Sequence, residues 1–293
     1  MLDIRRVLAS RPCKPDGAVP RPLLTPWGEK IEAGEGRPAP HPHPQFARAS
    51  SCPLNGWWYY HCDRLGMLVM QDMVSGGGPL DAWQTSYKPT LFRCSWSRLE
   101  DHTLRGMRAL ASDDARYRAE WTQTCQGTVL HLHNHPCIVA WCLFNEGWGQ
   151  FDATKAFVMV RELDPTRAID ATSGWYDQRC GDFLSVHNYF RPLEVYPDDS
   201  RARRAFLISE FGGLSCAVSG HCAFASSYGY EQLDDVESYV ASVLALLAQI
   251  DALEERGLAG FVYTQLSDVE EETNGLVTYD RRVVKLDGMP RSS

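Results

Sequence analysis

The chain has 293 residues, 44% of them hydrophobic and 23% charged, with a formal net charge of −8. This balance describes a globular chain with a sizeable core rather than a disordered one. It also argues against a general nucleic-acid binder, which carries a basic face, and an uncharged ligand fits better.

Residues 1–56 are rich in Pro, Arg, Gly and Ala, as in the run from Arg37 to Phe46, and hold no period of 2 or 3.6. They read as an irregular arm, with Trp27, Trp57 and Trp58 as packing residues at or near it. The first residues are charged and lack an apolar stretch of signal length, and no later segment is expected to reach membrane-spanning length. The expected location is therefore the cytoplasm, with no membrane partner. The ten cysteines show no C-x-x-C spacing and read as reduced, structural thiols.

From Leu65 onward the texture becomes an alternation of apolar runs and amphipathic segments. GMLVMQDM (66–73) reads as a buried strand, 115–134 as a helix, and CIVAWCLFNE (137–146) as the next strand. His131, His133 and His135 read as the helix end and its cap rather than a metal site, because i, i+2 spacing on a helix points side chains to different faces. Residues 152–163 form the next predicted helix, stopped by Asp164 and Pro165. RAIDATSG (167–174), FLSVHNY (183–189) and AFLISEF (205–211) follow as strands. A long helix over 234–258 and a last strand, GFVYTQLSD (260–268), complete the alternation, and DVEEET (268–273) reads as a solvated loop. Six strands in βα alternation imply an α/β fold with a parallel sheet covered on both faces. No dinucleotide or P-loop fingerprint opens a helix after any of them, which favours a barrel over a doubly wound nucleotide-binding sheet.

Two carboxylates, Glu146 and Glu210, end apolar strands, where α/β barrels place their sites. Cutting a glycosidic bond requires a proton donor at the leaving oxygen and a carboxylate facing the anomeric carbon, and glutamate can do either. Environment decides which job each performs, so the strand pattern leaves the roles open, and each glutamate alone also suits a cap or ion-pair role.

The segments YYHCDRLGMLVMQDM, NHPCIVAWCLFNEGWGQFD, SGWYDQRCGDFLSVHNYF, LISEFGG and YTQLSDVEEETNGLVTYDR together resemble glycoside hydrolase family 2, the family of β-galactosidases, β-glucuronidases and β-mannosidases. The resemblance implies a (β/α)8 TIM barrel with Glu146 as acid/base on the fourth strand and Glu210 as nucleophile on the seventh, in a retaining double displacement on a terminal β-linked sugar. It implies that Asn145 binds the sugar 2-hydroxyl and that Tyr189 hydrogen-bonds the nucleophile. His187 and Asn188 are candidate pocket contacts, Trp148 and Trp175 candidate sugar platforms, and Tyr263 or Gln265 stands where relatives often carry a tryptophan. The mechanism requires no metal or organic cofactor. The missing Asn-x-Lys after the last strand disfavours a glucuronide, with galactoside and mannoside both open.

The stretch from Pro26 to Trp58 resembles the very beginning of family members, yet runs almost directly into the segment of the third barrel strand. The jelly-roll domain, the immunoglobulin-like domain and barrel strands one and two are absent between them. Residues 57–293 are thus expected to form a partial catalytic barrel of about six strands. Two unpaired edges would then be open to pairing with another copy of the chain. The alternative expectation is an inactive remnant that binds carbohydrate or oligomerises.

Overall fold

The structure is a computed structural model that describes residues 56–91, 99–189, 192–198 and 204–287. The expected arm, with Trp27, lies outside the described residues except for Gly56. Trp57 and Trp58 belong instead to a helix, α1 (Gly56–Leu65), which buries Tyr59 and Cys62 one turn apart. Asp63 on this helix accepts from the backbone N–H of Cys137 at 2.8 Å and faces His135 Nδ1 at 2.8 Å. These bonds tie α1 to the start of the second strand and give His135 a structural partner.

Strand β1 (Val69–Asp72) leads through a π-helical turn, Trp83–Tyr87, into α2 (Lys88–Leu91). Short helix α3 (Leu104–Ala109) starts at Thr103, whose hydroxyl caps Gly106 N–H, and α4 (Ala115–Leu132) starts at Asp114, which caps Arg116 N–H. Then follow β2 (Ile138–Cys142), α5 (Ala153–Leu163), β3 (Ala168–Asp170), β4 (Phe183–Asn188) and β5 (Ala205–Gly212). A two-residue ladder pairs β6 (Leu214–Ser215) with β7 (Glu231–Gln232). Helix α6 (Val236–Glu254) and strand β8 (Leu258–Thr264) end the regular structure.

The strands form two parallel three-stranded sheets, β1-β2-β3 and β4-β5-β8. Asp182 joins them: its backbone N–H donates to the Ile169 carbonyl and its carboxylate accepts from Ile169 N–H. The six long strands therefore follow one another in barrel order, as the alternation predicts. Among the described residues β1 and β8 each pair on one side only, so the barrel is incomplete and has two edges. Apolar side chains at or beside them, Leu68 and Val262 among them, are exposed.

The strands are nearly continuous apolar runs because helices cover one face and packed side chains the other. Trp141, fully buried on β2, donates from its indole N–H to Asp164 Oδ2 at 2.9 Å. Trp121 of α4 stacks on Phe144 at 4.4 Å. Asp164 also caps the end of α5 and receives Arg167 Nη1 at 2.7 Å.

Two expectations change. Helix α6 has 19 residues and a hydropathy of 1.5, long and apolar enough by composition to cross a membrane. In the fold its stripe of Tyr239, Val243, Leu247, Ile250 and Leu253 is buried. The DVEEET segment is not wholly solvated either, because Asp268 is buried and paired with the equally buried Lys285 at 2.9 Å. Lys285 Nζ also donates to the Thr273 carbonyl at 2.8 Å, closing the segment after β8.

Candidate active site

The chain leaves β2 through Asn145-Glu146-Gly147. Glu146 sits at φ 52° and Gly147 at φ 74°. Left-handed backbone is open to glycine and strains most other residues. A Cβ on Gly147 would also approach Tyr176 Cδ2 to 2.5 Å, so the turn that aims Glu146 requires glycine after it. Glu146 N–H donates to the Ser173 carbonyl at 3.0 Å, and the Ser173 hydroxyl donates to Asn145 Oδ1 at 2.7 Å. With that bond made to Oδ1, the amide nitrogen of Asn145 is left to donate.

Glu210 lies within β5, opposite His187 in the β4–β5 register. The Tyr189 hydroxyl donates to Glu210 Oε2 at 2.5 Å and stands 3.1 Å from Thr264 Oγ1. Tyr230 stacks on the Tyr189 ring at 4.3 Å. One oxygen of Glu146, one of Glu210 and a ring nitrogen of His187 all lie within 4.8 Å of one another. Three such atoms are near enough for a small cation, yet His187 Nδ1 to Glu146 Oε1, at 2.8 Å, is a hydrogen-bond distance that a proton satisfies.

Burial pushes the Glu210 carboxyl above its ordinary pKa; the charge of Glu146 adds to this, while His187 and the Tyr189 hydrogen bond oppose it. Burial and the Glu210 charge hold the Tyr189 hydroxyl far above the ordinary phenol range, so it remains a donor. Beneath the pair, Asp170 at the end of β3 is almost fully buried, and burial raises its carboxyl to about 6. Among the described residues, His187 is the one basic side chain within ion-pair distance of either glutamate.

The predicted residues do not all converge. Glu146, Glu210, Asn145, Tyr189 and His187 are brought to one end of the strands. Trp175 stands edge-on to His187 at 5.6 Å, and Trp148 is exposed just after Glu146. Asn188 is buried and donates to the Pro192 carbonyl at 3.1 Å, which makes it an anchor of the loop after β4 rather than a pocket contact. Tyr263 is buried against Phe211 and interacts with Tyr239 of α6, on the opposite side of β8 from Thr264, and so belongs to the sheet–helix layer. Gln265 donates to Glu272 and Asn274 and lines a cleft of about 400 Å³ with Tyr228, Val269, Glu270, Glu271 and Glu272. Ser173, Tyr230, Thr264 and Asp170 are additions the sequence reading lacks. Only Asp170, an acid ending an apolar strand, carries a signal like that of the glutamates.

Parallel strands in barrel order, with a carboxylate pair at their C-terminal end, define a partial TIM barrel of the glycosidase type. Residues 45–283 match the model for "Glycosyl hydrolases family 2, TIM barrel domain", and the chain belongs to that family. Curated relatives include β-galactosidases from Pectobacterium atrosepticum and Yersinia enterocolitica, each 25% identical over 137 residues, 47% of this chain and 11% of the relative. Among solved structures, a β-D-glucuronidase from Dictyoglomus thermophilum aligns with a TM-score of 0.52 at 16% identity, over 84% of this chain and 45% of that one. A β-galacturonidase from Eisenbergiella tayi, bound to galacturonate, aligns with a TM-score of 0.50 at 14% identity, over 80% and 43%. At such identities the likeness carries the fold alone. The chain spans about a tenth of the curated relatives it matches and less than half of these solved chains.

Proposed function

We propose that this chain hydrolyses terminal β-glycosidic bonds by a retaining double displacement, with Glu146 as acid/base and Glu210 as nucleophile. The observation that carries this reading is the approach of their oxygens to within 4.8 Å. Retaining pairs stand roughly 5–5.5 Å apart, whereas inverting pairs stand about 6.5–9.5 Å apart to admit a water. In the first step Glu210 attacks the anomeric carbon while Glu146 protonates the departing oxygen. In the second, Glu146 removes a proton from water as the water displaces Glu210. Asn145 supplies a donor to the sugar 2-hydroxyl, and Tyr189 supports the ionised form of Glu210.

The acidic surroundings favour a neutral sugar over a uronic acid, because a substrate carboxylate would meet like charge with, among the described residues, His187 alone to offset it. The seven cysteines among the described residues are all free, which supports a reducing compartment such as the cytoplasm. An activated 2-fluoro-glycoside should label Glu210, and Glu210→Gln should abolish turnover of aryl β-glycosides. Equal turnover by Glu210→Gln and the intact chain would exclude the assignment. The one-sided pairing of β1 and β8 favours a second reading, a sugar-binding or self-associating remnant without turnover. A solution mass above that of the monomer, with no hydrolysis across a panel of aryl β-glycosides, would select it.

A further inference from the structure

The His187 imidazole is enclosed and anchored through Nδ1, while its Nε2 is buried without a hydrogen-bond partner among the described residues. Its side chain is 1% exposed, with Nδ1 at 2.8 Å from Glu146 Oε1 and 3.4 Å from Glu210 Oε2. The register of β4 against β5 shifts between Val186 and His187, and this irregularity sets His187 directly opposite Glu210. Gly174, at φ +77°, makes room for the ring, since a Cβ there would come within 2.7 Å of Nδ1. The titratable groups that act on the imidazole are all acidic, Asp72 ending β1, Asp170 ending β3, Glu146 and Glu210, and the Trp175 ring stands edge-on to it.

Two carboxylates this close do not both ionise without a countercharge, and a proton lodged on Glu210 would remove the nucleophile. We propose that His187 is a positioning residue that shares one proton with Glu146, so that Glu210 stays ionised while the acid/base remains loaded. The inference rests on the glycosidase reading of the pair. The two forms of the shared proton differ only in which bond holds it. Either Nδ1–H is intact and Glu146 is a carboxylate, or Nδ1–H has broken, Oε1–H has formed and the imidazole is neutral. As the leaving group departs, its oxygen takes the proton from Glu146 while the Glu210–carbon bond forms. In the return step a water proton reloads Glu146 as the Glu210–carbon bond breaks, so no proton is gained or lost over the cycle. Burial alone would strip the ring of its proton, but the charges on Glu210, Glu146 and Asp170 outweigh burial and raise its pKa above the ordinary histidine value.

Two measurements on the full chain test this. In the kinetic one, His187→Asn keeps a polar donor but cannot carry charge, so the alkaline limb of kcat/KM on an aryl β-glycoside should move about one pH unit lower. Activity would then fall about tenfold more on the alkaline side than on the acid side. A purely structural loss lowers the whole profile in parallel, and that result would overturn the proposal. The second follows His187 by NMR titration and needs no turnover: its midpoint should lie above about 6.5 and fall in Glu146→Gln. A midpoint below that value overturns the proposal whether or not the chain is active. No turnover together with a raised midpoint would instead count against the glycosidase reading alone.

Discussion

Replacing Tyr189 by Phe removes one oxygen and leaves the ring stacked on Tyr230 at 4.3 Å. The lost group is the 2.5 Å donor to Glu210 Oε2. A hydrogen bond to a charged partner contributes about 1.5–3 kcal/mol, or roughly 10- to 150-fold in rate if it supports the ionised nucleophile. The pH dependence carries more information than the rate. In the parent, burial and Glu146 raise the Glu210 pKa against the opposition of His187 and Tyr189. Without the hydroxyl that opposition weakens and the pKa rises further. The acid limb of kcat/KM should therefore move to higher pH, with a deeper loss at pH 5 than at pH 7. Initial rates on an aryl β-glycoside across pH 4–9, beside thermal midpoints, measure this directly. A parallel fall with an unmoved acid limb, or a loss explained by unfolding, would refute the role given to Tyr189.

Three further outcomes are expected. Lys285→Met leaves the buried Asp268 carboxylate without its partner, a change that costs about 3–5 kcal/mol when a buried pair is broken. Burial raises the Asp268 pKa more than Lys285 lowers it, so protonation relieves the penalty. Urea unfolding should show a larger loss at pH 7 than at pH 5, and Asp268→Asn combined with Lys285→Met should recover part of it. Burial opposes ionisation of Asp164, but hydrogen bonds from Thr166, Arg167 and Trp141 outweigh it and hold its pKa well below the usual carboxylate range. The stability this confers is present above the unfolded-state pKa and lost as pH falls through the folded one. Asp164→Asn should thus cost about 3 kcal/mol at neutral pH, and the gap to the parent should narrow in acid unfolding. Gly147→Ala adds left-handed strain and a 2.5 Å contact with Tyr176, together about 2–4 kcal/mol, and should lower the thermal midpoint and misplace Glu146.

Much of the architecture is legible in one dimension because it depends on local order. Six apolar runs alternate with helical periods, Asp164 and Pro165 stop a helix where the chain turns, and Glu146 and Glu210 fall near the C-terminal ends of apolar runs, where the fold collects its site. The helix Gly56–Leu65 escapes this reading. Its place depends on Asp63 meeting Cys137 and His135 more than seventy residues away.

Side-chain direction is the second thing that needs three dimensions. His187 and Asn188 are adjacent, so on a strand they face opposite sides, and one cannot serve the pocket if the other does. The register irregularity before His187 sets it opposite Glu210, and on β8 Thr264 faces Tyr189 while Tyr263 turns to the helix layer.

By itself the sequence determined the order of elements and the two glutamates that follow apolar runs. Each is set by local backbone preference and by burial along a single strand. Only the tertiary structure decided that the two carboxylates meet around one imidazole, that Asn188 turns to the Pro192 carbonyl, and that Lys285 closes on Asp268. Those contacts join residues far apart in the chain, and the pairing of whole strands fixes which atoms come within hydrogen-bond reach.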